Sequence, residues 1–127
     1  MEITVSKTRT FVPEWNGNKK LPEDEQIVVT YPALNISLRK QIIGRNTIRF
    51  EYDKDGNPTG GSGEMSLFDK EAAIRKIKPV ITNLKIDGKQ VISAEDLLAA
   101  PVELYGLVEE IGSHFQDEFK KESPEKN

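Results

Sequence analysis

The chain contains no cysteine and a single histidine, His114. Without thiols there is no disulfide framework, no thiolate metal site and no cysteine nucleophile. With one imidazole, the usual histidine zinc sets and His–His relays are excluded too. Uninterrupted apolar runs stop at three or four residues, against about 20 for a helix that crosses a bilayer. The opening Met-Glu-Ile-Thr-Val-Ser-Lys has neither the basic stretch nor the apolar core of a secretory signal. These absences point to a cytosolic protein and argue against catalysis.

What is present suffices for one domain. The 127 residues are 36% hydrophobic and 31% charged, enough apolar content for a core and too much for wholesale disorder. The net charge of −3 resides in the last stretch, where Glu109, Glu110, Asp117, Glu118, Glu122 and Glu125 cluster. One stretch runs the other way: Arg39, Lys40, Arg45 and Arg49 follow one another without an intervening acid. They could meet phosphates, but the pI near 5.3 lacks the basic footprint of a nucleic-acid-binding domain.

Period-2 alternation and β-branched residues predict strands over 2–12, 26–31 and 47–53. Between them, 13–25 and 54–65 are rich in Pro, Gly and charge and read as flexible loops. Trp15 lies in the first, either folded back on the core or exposed as a contact anchor. Leu34, Leu38 and Ile42 recur at i, i+4, i+8, the spacing of a short helix with Gly44 as its stop. Asp69 is placed to cap a helix running to Lys78, with Ile74 and Ile77 inward and Pro79 barring continuation. Val80 to Ile86 reads as a strand, Asp87-Gly88 as a type I′ hairpin turn, and Ser93-Ala94-Glu95-Asp96 as a capping box.

The last helix, over 102–121, has the clearest period. Leu104, Val108, Ile111, Phe115 and Phe119 form one stripe, Pro101 starts the helix, and Gly106 and Gly112 each cost it about 1 kcal/mol against Ala. At 1.5 Å per residue it would span roughly 30 Å, so Phe115 and Phe119 could project beyond the core. Residues 122–127 read as a disordered tail. The architecture expected is a single α+β domain over 1–121. It has a small mixed or antiparallel sheet, helices on one face and a long amphipathic C-terminal helix.

Three motifs approach chemistry without reaching it. Glu51, Asp53, Asp55 and Gly56 imitate the start of an EF-hand, but Ser62 stands where the bidentate Glu is required. Gly56, Gly60, Gly61 and Gly63 invite a phosphate loop, yet Glu64 follows where Lys must be. His114 has Glu110 at i−4, a spacing for an acid–base pair, but no nucleophile accompanies them; a solvated surface histidine is the plainer reading. No catalytic residue, metal ligand or cofactor site is assigned.

Two stretches together carry a resemblance. They are Gln26-Ile-Val-Val-Thr-Tyr-Pro-Ala-Leu-Asn-Ile-Ser-Leu-Arg-Lys and Val80-Ile-Thr-Asn-Leu-Lys-Ile-Asp-Gly-Lys-Gln-Val-Ile-Ser-Ala-Glu-Asp-Leu-Leu-Ala-Ala-Pro, the second followed by Leu104 to Ile111. Their order of strand, short helix, Asp-Gly hairpin, capped turn and terminal helix resembles the tail assembly chaperones of long-tailed phages and prophages; Gly60 to Gly63 lie outside that pattern. The resemblance implies a non-enzymatic protein of the bacterial host cytoplasm. It would often self-associate and bind tape-measure or tail-tube protein during tail morphogenesis. The surface expected to do this is Trp15, Leu104, Tyr105, Val108, Ile111, Phe115 and Phe119. The rival readings are a structural virion component (a neck or tail-completion subunit) and a small nucleic-acid-binding regulator.

Overall fold

Two short strands at the start, Thr8–Phe11 (β1) and Val28–Pro32 (β2), pair antiparallel, and β2 pairs on its other side with Val80–Thr82 (β5). The resulting sheet has the order β1-β2-β5. The computed structural model describes residues 1–120, and for 44–52 and 58–67 it describes the backbone. Between β2 and β5 run helix α1 (Ile36–Ile42), a hairpin of β3 (Ile43–Tyr52) and β4 (Pro58–Phe68), and helix α2 (Lys70–Ile77). A small hairpin, β6 (Lys85–Ile86) with β7 (Lys89–Gln90), then leads to α3 (Ala94–Leu98), a 3-10 turn at Val102–Leu104 and α4 (Tyr105–Lys120). Every strand pair among the described residues is antiparallel. The class is α+β, as the sequence indicates.

The core lies between the inner face of the three-stranded sheet and the helices. Val29, Tyr31 and Ile81 point from the sheet toward Ala73, Ile74 and Ile77 of α2 and Leu107, Val108, Ile111 and Phe115 of α4. Leu97 of α3 and Ile42 at the end of α1 close the two sides. Each fully buried Ile, Leu or Phe in this set contributes about 1.5–3 kcal/mol of transfer free energy.

Local signals set most boundaries. Asp69 caps α2 by accepting from the Ala72 N–H at 3.0 Å, and Lys78 stops it in the left-handed region at φ 56° before buried Pro79. Ser93 and Asp96 form the reciprocal capping box of α3. Asp87 and Gly88, at φ 50° and 79°, make the type I′ turn.

Other expectations need correcting. The first strand covers 8–11 rather than 2–12, because β2 ends at Pro32, opposite Thr8, and one further bond, from the Ala33 N–H to Lys7 O, closes the pairing. The stretch 13–25 is pinned rather than loose. It folds into 3-10 turns, and the amide of buried Asn18 donates to Pro13 O at 2.8 Å and Ile27 O at 3.0 Å while its oxygen accepts from Ile27 N. Gly44 is not a helix stop; α1 passes at Ile43 directly into β3, and Gly44 sits opposite Leu67 in the ladder. The glycine-rich segment in 54–65 is largely strand. Gly56, at φ 79°, closes the turn, and the ladder pairs Gly63 with Ile48 and Gly61 with Phe50. A ladder bonds through the backbone, which glycine keeps.

The strand expected over 80–86 breaks at Asn83, whose φ of 63° reverses the chain while its amide donates to Asp24 O and Gln26 O. Pro101 stands before the 3-10 turn rather than inside a helix. Finally, α4 does not project past the core: Phe115 is fully buried and Phe119 packs on the same cluster. The tail proposed for 122–127 lies outside the described residues.

Candidate functional site

His114 sits at the junction of sheet and helix. Its ring stacks on Phe11 of β1 with centroids 4.0 Å apart and planes 11° from parallel. Its Nε2 lies 2.7 Å from the Tyr31 hydroxyl of β2 and 3.7 Å from Glu118 Oε1, one helical turn on. The other oxygen of Glu118 accepts from Arg9 Nη1 at 3.0 Å, so β1, β2 and α4 are joined through four polar side chains. Burial pushes the Tyr31 phenol up to about 12; the negative charge of Glu118 adds to this and Arg9 opposes it. These groups satisfy one another, aromatic rings pack about the imidazole, and the Arg9–Glu118 pair lines an open cleft of about 310 Å³ beside Asn35 and Arg39. His114 is therefore not the solvated residue expected. Glu110, the acid at i−4, is engaged elsewhere: its carboxylate accepts from the Glu14 and Trp15 N–H groups at 2.6 and 2.9 Å.

The other singled-out residues are dispersed. Leu104, Val108, Ile111 and Phe115 are core, and Phe119 leans on Phe68 with ring centroids 5.9 Å apart. Trp15 folds back over α4, its indole lying where a Cβ on Gly106 would come within 3.2 Å. Tyr105 alone of the set is exposed, and its hydroxyl donates to Glu109 Oε1 at 2.7 Å. Lys70 donates to Glu109 Oε2 at 2.8 Å, and these two hydrogen bonds hold the Glu109 carboxyl below the usual carboxylate range. Asp53 accepts from Asp55 N and Asn57 N, a turn rather than a calcium loop. Arg39 and Lys40 are exposed on α1, while Arg45 and Arg49 fall where the backbone alone is described.

An open cleft lies elsewhere, where α2, β5 and α3 meet. Pro79 turns the chain from α2 into β5, and Ile81 faces inward, so its neighbour Val80 faces out. After the β6–β7 hairpin the chain returns alongside β5, with Ile81 N–H donating to Ile92 O at 2.7 Å. That bond turns Val91 into the core and Ile92 outward. Val80 and Ile92, 51% and 49% exposed, line a cleft of about 840 Å³ whose rim carries Arg75, Lys76, Lys78 and, on the α3 side, Glu95. Two signals of this cleft are local: the branched aliphatics Val80 and Ile92, each beside a residue that turns into the core, and three cations in the last turn of α2 and just beyond it.

Lys78 is strained as well as charged. A residue that closes a helix in the left-handed region is usually glycine, because a Cβ there costs about 1 kcal/mol. Its side chain is exposed, so no packing holds it in place.

No family model, curated protein or solved structure matches the chain. No helix among the described residues is long and apolar enough to cross a membrane. Among those residues no group of three or more His, Asp or Glu side chains is placed to hold a metal ion.

Proposed function

We propose that the chain is a non-enzymatic assembly protein, of the tail-assembly kind its sequence resembles. On this reading it holds an amphipathic, acid-bearing segment of a partner in the α2–β5–α3 cleft. The observation that carries it is the pairing of half-exposed Val80 and Ile92 with the cations Arg75, Lys76 and Lys78 on one rim. A helix laid in such a groove covers the aliphatic pair with its apolar stripe and sets its acids against the rim. A tape-measure protein, a long amphipathic helix in need of masking before the tube closes around it, has that chemistry. The docking surface thereby moves from the C-terminal helix, whose stripe is spent on the core, to the opposite end of α2.

Titration with a fluorescent amphipathic peptide tests the reading, with one version bearing glutamates on its polar face and another lysines. The glutamate peptide should bind, and the lysine peptide should bind at least tenfold more weakly. Ile92→Asp and Lys76→Glu should each weaken the glutamate complex tenfold or more, about 1.4 kcal/mol, with thermal unfolding unchanged. Lys78→Gly should raise the unfolding temperature, by relief of about 1 kcal/mol of backbone strain, and still weaken binding. Equal affinity for both peptides, or indifference to the two variants, overturns the cleft assignment. Co-expression with tape-measure protein tests the biological role: a soluble complex supports it, and precipitation of the partner in the chain's presence counts against it.

A further inference from the structure

Strand β1 is an edge of the three-stranded sheet. The Ala33 N–H donates to Lys7 O, which sets the alternation of the ladder. Lys7, Arg9 and Phe11 turn their backbone groups toward β2, while Thr8 and Thr10 turn theirs outward. Natural edges are guarded by proline, a bulge or a projecting charge. This one has an unbroken register and no proline, and its one charge, Arg9, is drawn onto the helix side by Glu118.

Directly before this edge, residues 2–6 pair with no strand among the described residues, since β2 has already ended at Pro32. They are Glu-Ile-Thr-Val-Ser, β-branched at three consecutive positions, with Ile3 and Val5 sharing one side at 64% and 55% exposure. Glu2, Thr4 and Ser6 take the other side. That is the pattern of a strand with one face covered, on a segment that lacks both a neighbour and a cover.

We propose that this arm pairs with the outer edge of β1 in a second copy of the chain. The result is a two-fold dimer in which each copy lends residues 2–6 to the other. The chain supplies both halves of the contact: an arm without a partner strand, and an edge whose Thr8 and Thr10 backbone groups point away from their own sheet. Reciprocal exchange closes the pair, as an isologous contact must. Pattern agrees, because antiparallel pairing sets Ser6 and Thr4 of the arm against Thr8 and Thr10 and brings Ile3 and Val5 to the face that carries Phe11. The inference is independent of the cleft.

Sedimentation velocity of the full chain over a hundredfold concentration range tests it. The expected result is a concentration-dependent dimer. The double change Ile3→Asp with Val5→Asp sits on the exposed arm, outside the packed domain, and should raise the dissociation constant at least tenfold with unfolding unchanged. Thr10→Pro removes an N–H that faces outward and spares the bonds to β2, and it should act likewise. A monomer at every concentration, or a dimer as tight in the arm variant as in the parent, overturns the proposal.

Discussion

Tyr31 and His114 stand 83 positions apart and are joined by one 2.7 Å contact. Nothing local marks either residue for the other. Tyr31 reads as an alternating strand position and His114 as a polar helix position, and only the packing of α4 across β1 and β2 brings them together. Asn18 is similar: within a segment that looks like loop, its amide serves three backbone groups. The Tyr31 environment has a consequence in alkali. Its phenol holds a proton up to about pH 12 in the folded state, from burial first and then the Glu118 carboxylate, whereas the unfolded chain releases it near 10. The stability it contributes is complete below pH 10 and is lost as pH rises toward 12. Urea midpoints measured from pH 9 to 11.5 should therefore fall, and fall less steeply in Tyr31→Phe, which has no phenolic proton to lose. Comparison of the two proteins removes the background from the other alkaline groups, including exposed Tyr105. Parallel slopes would show that the tyrosine is not protected by its site.

Elements with chemical punctuation were legible. Asp69, Ser93 with Asp96, and Asp87-Gly88 each bring their own hydrogen bonds or dihedral freedom, so their turns and caps follow from adjacent residues alone. Gly106 and Gly112 cost α4 helix propensity, yet it runs without interruption from Tyr105 to Lys120. Their meaning lies in what crosses the helix. A Cβ on Gly112 would collide with Cβ of Lys70 and come within 2.8 Å of its Cγ, so the start of α2 rests directly on the α4 backbone. At Gly106 the obstacle is the Trp15 indole at 3.2 Å, the edge of a side-chain ring that clears a methyl by a small rotation while its backbone stays in place. The same substitution should thus have opposite signs at the two sites. Gly106→Ala gains helix propensity of up to about 1 kcal/mol and should be neutral or stabilising. Gly112→Ala gains as much and loses about 1–3 kcal/mol to overpacking against α2, so it should lower stability. Equilibrium urea unfolding of the two variants decides the matter; a Gly112→Ala protein as stable as its parent would mean that α2 does not rest there.

At the scale of the whole molecule, pattern foretold the class but not the pairing. Sequence pattern marks strands over 26–31 and 80–86, yet the adjacency of β2 and β5 depends on a crossing of about 50 residues that no periodicity records. The glycine-rich stretch failed for the complementary reason: β4 is held by backbone bonds, and composition speaks mainly of side chains. The cleft went unread because it arises only once β5 and the return from β7 lie together. Division of the strands into separate sheets also predicts how the protein opens. The β1-β2-β5 sheet is clamped by α2 and α4 through Val29, Tyr31, Ile81 and Phe115, whereas β3 and β4, among the described residues, have only each other as strand neighbours. A two-stranded ladder is marginal by itself. Native-state hydrogen exchange should therefore show two classes of amide. Those of Val29, Tyr31, Ile111 and Phe115 should exchange only through global unfolding, with the full denaturant dependence of that transition. Those of the β3–β4 ladder should exchange through an opening of lower free energy and shallower denaturant slope. Identical opening energies in both sets would make the long hairpin part of a single cooperative unit, held by α1 and α2 as firmly as the sheet is held by α4.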